Sequence, residues 1–199
     1  MKRLILLFLC FLLSLSPLWA YKLMYAEQYY KLFHTHFYQY PEDLNENIYY
    51  LEWALKSDFV NPLNALTPIE SPEEWERYRK LFTLHVNLKL TELYRKLGSK
   101  YDKFTAYFYN YPFKRANLDS LRYAESYYQA ALHYWEEALY WADQIEQKPW
   151  FTFENLSHWE DELYRINLGE LDYAEFIGYD LERLYQVRDA FEAMGPGTY

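Results

Sequence analysis

A chain of 199 residues with 29 acidic and 20 basic side chains carries a formal net charge of −9, which sets it against nucleic acid and anionic lipid surfaces as partners. Its 5 glycines are too few for the tight turns of a many-stranded β protein, and its length suits one domain. The 24 Tyr, 13 Phe and 7 Trp residues fit strands or helices alike, so the class must be read from periodicity.

Residues 1–20, MKRLILLFLCFLLSLSPLWA, begin with Lys2 and Arg3, continue as an apolar run from Leu4 to Leu13, and reach a processing end at Pro17–Ala20. This is the pattern of a secretory signal peptide. The run is far shorter than the ~20 apolar residues of a spanning helix, so no membrane span is expected after cleavage. Retention of the leader as an anchor is the alternative. Cys10 follows Leu9, where lipidation signals carry a small residue, and reads as part of the apolar run. Cleavage after Ala20 leaves 18 basic against 29 acidic residues, a charge of −11, and no cysteine. An exported chain without disulfides needs a sufficient apolar core, and residues 21–199 are expected to form one all-α domain.

Seven helices are expected along it. The first covers about Met24–Gln39 and stops before Pro41; the second starts at acidic Glu42 and Asp43 and runs to about Lys56. After a loop with Pro62 and Pro68, Ser71-Pro72-Glu73-Glu74 opens a third helix as N-cap, first-turn proline and capping box. Tyr78, Phe82, Val86, Leu90, Leu93 and Leu97 form its stripe, and Gly98 is expected to end it. A fourth helix is expected over about Lys100–Asn110. The fifth carries Leu121, Ala124, Tyr128, Ala131, Trp135, Ala138, Ala142 and Ile145 at 3-4-3-4 spacing. Alanines alternate with large residues on most of this seam, which allows close helix approach. Ala124, Tyr128, Ala131, Trp135, Ala138 and Ala142 are therefore the expected hub of a helical bundle, with Tyr127, Ala130, Tyr134 and Trp141 on an adjacent face. The sixth helix, about Asn155–Leu168, closes at Gly169. The seventh begins with Asp172 and Glu175, carries Ile177, Leu181, Leu184, Val187, Phe191 and Met194, and stops at Gly195-Pro196-Gly197.

A nine-residue pattern occurs twice: FHTHFYQYP at 33–41 and FTAYFYNYP at 104–112. On helices, Phe33, Phe37 and Tyr40, and likewise Phe104, Phe108 and Tyr111, share one stripe that should face the core, with Pro41 and Pro112 as terminators. Tyr38 and Tyr109 sit roughly 140° around from the first Phe of each stripe. These two tyrosines are the candidate interaction surface.

Ala124-x3-Tyr128-x2-Ala131, within YAESYYQAAL, resembles the second helix of a tetratricopeptide repeat. Upstream, Phe108, Tyr111-Pro112 and Arg115 stand where such a repeat has Trp, Leu-Gly and Tyr. The resemblance implies helical hairpins of related geometry, TPR-like in packing, and not a repeat array. In general character residues 70–145 are similar to spirochaete periplasmic helical proteins, some of which associate with periplasmic flagella. That resemblance implies a scaffold or filament-associated role and carries no site residues.

Catalytic motifs are sparse. There is no G-x-S-x-G, glycine-rich phosphate loop, HExxH or Glu-x-x-His, and the mature chain has no cysteine nucleophile. His34 and His36 point roughly 200° apart on a helix and cannot share a metal there. His85, between Leu81 and Leu88, reads as a hydrogen-bonded core histidine. The pairs His133/Glu137 and His158/Glu162 read as local or solvated i,i+4 pairs rather than ligands. The acidic pairs Glu73-Glu74, Glu136-Glu137 and Glu160-Asp161-Glu162 read as a helix cap and solvated faces. Glu137, between Tyr134 and Trp141, is the best carboxylate for a glycan-cleaving alternative. No metal, cofactor or catalytic residue is expected. The tyrosine excess points to binding, since tyrosine joins a large ring to a polar tip. The function expected is an exported helical scaffold or protein-interaction module of the cell envelope or periplasm with a protein partner. A glycan- or cell-wall-binding module comes second, and a helical glycan-cleaving enzyme third.

Overall fold

The computed structural model describes residues 23–102, 108–146 and 153–198. The expected leader, residues 1–20, lies outside them. The described residues form six α-helices: α1 Ala26–Gln39, α2 Leu44–Lys56, α3 Pro72–Asp102, α4 Lys114–Asp143, α5 Ser157–Asn167 and α6 Tyr173–Ala193. Three short 3-10 turns lie at 62–64, 111–113 and 154–156, and no strand occurs among the described residues. The class is all-α.

Local chemistry sets most of the boundaries. Asp43 caps α2 by accepting the Glu46 N–H, and Asp172 caps α6 by accepting the Ala174 and Glu175 N–H groups. Ser71 Oγ accepts the Glu74 N–H at the start of α3, while the Glu74 carboxylate accepts the N–H of Glu70, one residue earlier than a capping box requires. Gly169, at φ 70°, sits in the left-handed region just past α5, where a side chain would be strained.

The long helices α3 and α4 pair antiparallel and form the most extensive interface. The beginning of α3 meets the end of α4, where Lys80 donates to the Gln144 carbonyl, and its end meets the beginning of α4, where Ser120 donates to the Tyr101 carbonyl. The α1–α2 hairpin and α5 cover the first part of this pair around Tyr30, Leu51, Tyr78, Phe82 and Trp159. Helix α6 packs on the first half of α4 through Ile177, Leu181, Leu184 and Phe191. The α4 seam from Leu121 to Ala142 is buried, and so is Ile145 just past the end of the helix. Its half-buried flank carries Tyr127 and Tyr134 toward Tyr94 of α3, whose ring stacks on Tyr134 at 5.4 Å.

Two expected boundaries differ. Gly98 does not end α3; the helix continues to Asp102, which is fully buried and paired with Arg183 of α6. One interior glycine costs a helix only about 1 kcal/mol, less than the packing and ion pairing that the extra turn gains. Residues Lys100–Asp102 of the expected fourth helix thus belong to α3. Residues 108–110 are not helical, and the rest of that expected helix, with Phe104, lies outside the described residues.

The repeated aromatic stripe is also corrected. Phe33 is buried, but Phe37 and Tyr40 are exposed, as are Phe108 and Tyr111. At the end of α1 it is His36 that faces α2. Its Nδ1 lies 3.1 Å from Asn47 Oδ1, and Asn47 Nδ2 donates to the Tyr40 carbonyl. In the second copy the backbone bonds go elsewhere: Asn117 donates to the Phe108 carbonyl and Tyr111 N–H to the Thr198 carbonyl. The two copies therefore do not share one conformation.

Candidate functional site

Burial of polar groups is expensive unless each finds a partner, so the polar residues of the core are informative. His85 on α3 is almost wholly buried, as its apolar neighbours require. Its Nδ1 lies 2.6 Å from Glu162 Oε2 on α5 and its Nε2 lies 2.9 Å from the Tyr30 hydroxyl on α1. An ionised carboxylate only accepts, so Nδ1–H donates to Glu162 and Nε2 accepts the Tyr30 O–H. Lys89 continues the chain, 3.5 Å from Glu162 and 3.0 Å from Glu92, and Glu92 accepts the Tyr173 hydroxyl at 2.8 Å.

The electrostatics follow from burial and pairing. Burial pushes His85 below its ordinary value, outweighing the opposite pull of Glu162, and keeps it neutral. Burial alone would raise Glu162, but the His85 hydrogen bond and the nearby charges, Lys89 among them, hold it below the usual carboxylate range. Tyr30 is pushed up to about 12, chiefly by burial, with the Trp159 indole opposing and Glu162 adding to the rise. A phenol held neutral in this way is a hydrogen-bond donor and not an activated nucleophile.

Above this chain an open groove of about 460 Å³ runs between α1 and the start of α5, within the roughly 300–1,000 Å³ range of small-molecule sites. Tyr30 and Trp159 floor it; Lys31, His34 and Thr35 of α1 and His158 of α5 rim it. The Trp159 ring stacks on His85 at 5.0 Å, and His158 meets His85 edge-on at 5.2 Å. Trp159 is fully buried, and its Nε1–H lies beside the Tyr30 hydroxyl.

His85 is the core histidine expected from its flanking leucines. Glu162, expected on a solvated face with His158, instead turns inward to His85 and Lys89. Glu160 is likewise largely buried, bound by both Arg77 Nε (3.1 Å) and Arg77 Nη2 (2.5 Å). These two acids correct the reading of the 160–162 cluster: α5 packs against α3, which draws one of its acidic faces inside. Glu137 and His133 are exposed on α4. Among the described residues no group of three or more His, Cys, Asp or Glu side chains could hold a metal ion.

The candidate interaction residues are placed differently. Tyr38 is 86% exposed near the end of α1, whereas Tyr109 is 49% exposed and stacks on the buried Phe191 ring at 4.9 Å. Ala124, Tyr128, Ala131, Trp135, Ala138 and Ala142 are all buried. Several tyrosines carry their hydroxyls inward to acids: Tyr78 to Glu27, Tyr94 and Tyr134 to Glu52, and Tyr128 to Asp102.

A further aromatic set was not singled out by the sequence pattern. On the α1–α2 hairpin, Tyr29 stacks on Trp53 at 5.9 Å, and Trp53 contacts Tyr49, which contacts Tyr50. Tyr50 meets His36, and His36 meets Tyr40. Tyr49 and Trp53 are 48% and 42% exposed. Their i,i+4 spacing on α2 was the signal available.

Among the described residues no helix is long and apolar enough to cross a membrane. Comparison with curated proteins and with solved structures finds no match. A family profile does match, over residues 73–194, from the first turn of α3 to the residue after α6. With more than half its length matched, the chain belongs to the DUF8513 family, described as a domain of unknown function.

Proposed function

We propose that the protein is an exported, non-enzymatic helical module that binds a protein partner in the cell envelope or periplasm. The observation that carries this reading is the aromatic chain on the α1–α2 hairpin, Tyr29–Trp53–Tyr49–Tyr50, in which Trp53 and Tyr49 are exposed while Tyr29 and Tyr50 anchor them to the core, with Tyr38 projecting from the same hairpin. Tyrosine and tryptophan are enriched where proteins meet, because they bury large rings with little loss of conformational freedom. The hairpin precedes the matched family region, so the α3–α6 core acts as the scaffold and the hairpin as the docking face. Association with a periplasmic filament or flagellum is the form of this role that the resemblance to spirochaete helical proteins implies.

The test is site-specific photocross-linking in the native cells, with the cross-linker at position 49, 53 or 136. One shared adduct from 49 and 53 that is absent from 136, in the envelope fraction, is the expected result. No adduct, or the same adducts from all three positions, overturns the docking face. A mature N-terminus elsewhere than near Tyr21, with recovery in the cytoplasm, overturns export.

A further inference from the structure

The α1–α2 hairpin with its flanking residues, 24–60, carries six acidic and only two basic side chains. The aromatic docking face lies on this stretch, so the charges there select what it can hold. Neither lysine meets the rings. Lys31 is two residues from Tyr29, about 200° around α1, and lines the groove toward α5. Lys56 is taken up by Glu52 at 3.2 Å. Lys96 and Lys100 reach the hairpin from α3, and both end on Glu42.

The acids are placed otherwise. Glu46, Tyr49 and Trp53 fall at i, i+3 and i+7 and share one face of α2, and Asp58 follows just past its end. Asp58 pairs its backbone with Tyr25, one turn before Tyr29 on α1, and its carboxylate is exposed. At the other end Glu46 accepts the Tyr50 hydroxyl, which is the chief reason that phenol is pushed up to about 12. Asp43 stands beside it, 3.8 Å from the His36 ring. Among the described residues none of these three carboxylates is paired with a lysine or arginine. Between them lie Trp53 and Tyr49, half exposed and backed by the rings of Tyr29 and Tyr50.

The face of an aromatic ring is its negative pole, so Trp and Tyr attract ammonium and guanidinium groups. Arginine adds a plane that stacks on such rings. An acidic or phosphorylated segment would meet like charge here.

We infer that the docking face is specific for a partner segment bearing arginine or lysine, whose cations seat on Trp53 and Tyr49 between Glu46 and Asp58. This rests on the docking role proposed above and adds the chemistry of the occupant. The net charge of −9 extends the same preference to longer range, drawing a basic segment in and turning an acidic one away.

The experiment is fluorine NMR of the purified chain labelled with fluorotryptophan, the Trp53 resonance being assigned by Trp53→Phe. The probes are short acetylated peptides of alternating arginine and glycine, with citrulline or glutamate replacing arginine in two controls, at about 0.15 M salt. The expected result is a saturable shift of Trp53 by the arginine peptide, about tenfold tighter than by its citrulline analogue, with buried Trp135 unmoved. Glu46→Gln combined with Asp58→Asn should keep the wild-type melt and weaken the arginine peptide by about threefold or more. The citrulline comparison uses the unaltered chain and holds whatever the double variant does. No saturable shift, equal affinity for arginine and citrulline, tighter binding of glutamate, or equal movement of Trp135 overturns the cationic occupant. A Trp53 shift with protein concentration alone would name a second copy, and one with soluble cell-wall glycan fragments would name a sugar; either overturns it as well. None of these outcomes touches the cross-linked adducts at 49 and 53, whose loss alone removes the docking face.

Discussion

Gly98 of α3 lies against the face of Tyr128 of α4: a Cβ built at position 98 would stand 2.8 Å from both Cδ1 and Cε1 of the tyrosine ring. The ring cannot easily yield, because Tyr128 is buried and its hydroxyl donates to the buried Asp102. Glycine here therefore serves helix contact. Gly98→Ala gains about 1 kcal/mol of helix propensity but overpacks the contact at about 1–3 kcal/mol. The net outcome expected is a lower melting temperature, deepened by Gly98→Val. A melt raised by Gly98→Ala would show that the two helices separate freely.

The alternating α4 seam is expected to respond from both directions. Trp135, buried and edge-on to Tyr173 at 5.5 Å, leaves a large cavity when truncated, so Trp135→Ala should cost about 3–5 kcal/mol. Ala131→Leu forces bulk into a fully buried position and should cost about 1–3 kcal/mol. Urea unfolding of both variants checks this, and an unchanged midpoint in Trp135→Ala would remove α4 from the centre of the fold.

Acid should weaken the fold through His85 and Glu162 together. Each has its folded value below the ordinary one, 6.5 for histidine and 4.5 for glutamate. The unfolded chain therefore binds protons first as pH falls, and stability present above the unfolded value is lost on acidification. The histidine contribution starts to fall near pH 6.5 and the carboxylate contribution near 4.5. Urea midpoints at about pH 7.5 and about pH 5 should differ more in the wild-type chain than in His85→Gln, which cannot titrate. Parallel falls in the two proteins would assign the acid sensitivity elsewhere.

Asp102 closes α3 as a carboxylate with no solvent exposure, held by Arg183 and the Tyr128 hydroxyl. Removing it takes the carboxylate from both the Arg183 guanidinium and the buried Tyr128 hydroxyl, so Asp102→Ala should cost about 3–5 kcal/mol. Asp102→Ala combined with Arg183→Met should recover part of that loss. A double variant no better than Asp102→Ala would deny the coupling between α3 and α6.

The two repeated tyrosines should separate in a melt. Tyr38→Ser, at an exposed position, is expected to stay within about 0.5 kcal/mol of wild type. Tyr109→Ser removes a ring stacked on Phe191 and should cost about 1 kcal/mol or more. Equal effects would mean that the two copies share one environment after all.

How far the sequence could be read depends on the range of the forces involved. The α4 seam and the α6 stripe repeat within one helix, so their buried faces were legible from spacing alone, and His85 between Leu81 and Leu88 was legible as core for the same reason. The Tyr30–His85–Glu162 chain was not, since its partners lie 55 and 77 residues apart and no local pattern selects Glu162 over Asp161 or Glu160. Phe37 and Tyr40 mark a different limit. Periodicity identifies a face of a helix but not the point along it where the neighbouring helix ceases to cover that face. Gly98 marks a third, because a glycine that stops a helix and one that admits a neighbour's ring look identical in one dimension.

The inward phenols have a consequence for how relatives of this chain should vary. Tyr128 serves Asp102 and Tyr173 serves Glu92, and all four positions fall within the matched family region. Exchange of tyrosine for phenylalanine removes a single oxygen, but at these sites it leaves a carboxylate short of a donor. The two members of each pair should therefore drift together. A relative with Phe at the position of Tyr128 is expected to carry uncharged residues at those of both Asp102 and Arg183, and a similar rule should link Tyr173 with Glu92. Tyr38 and Tyr49, whose rings face solvent, should show no such bond to any acid and change at the pace set by whatever they touch.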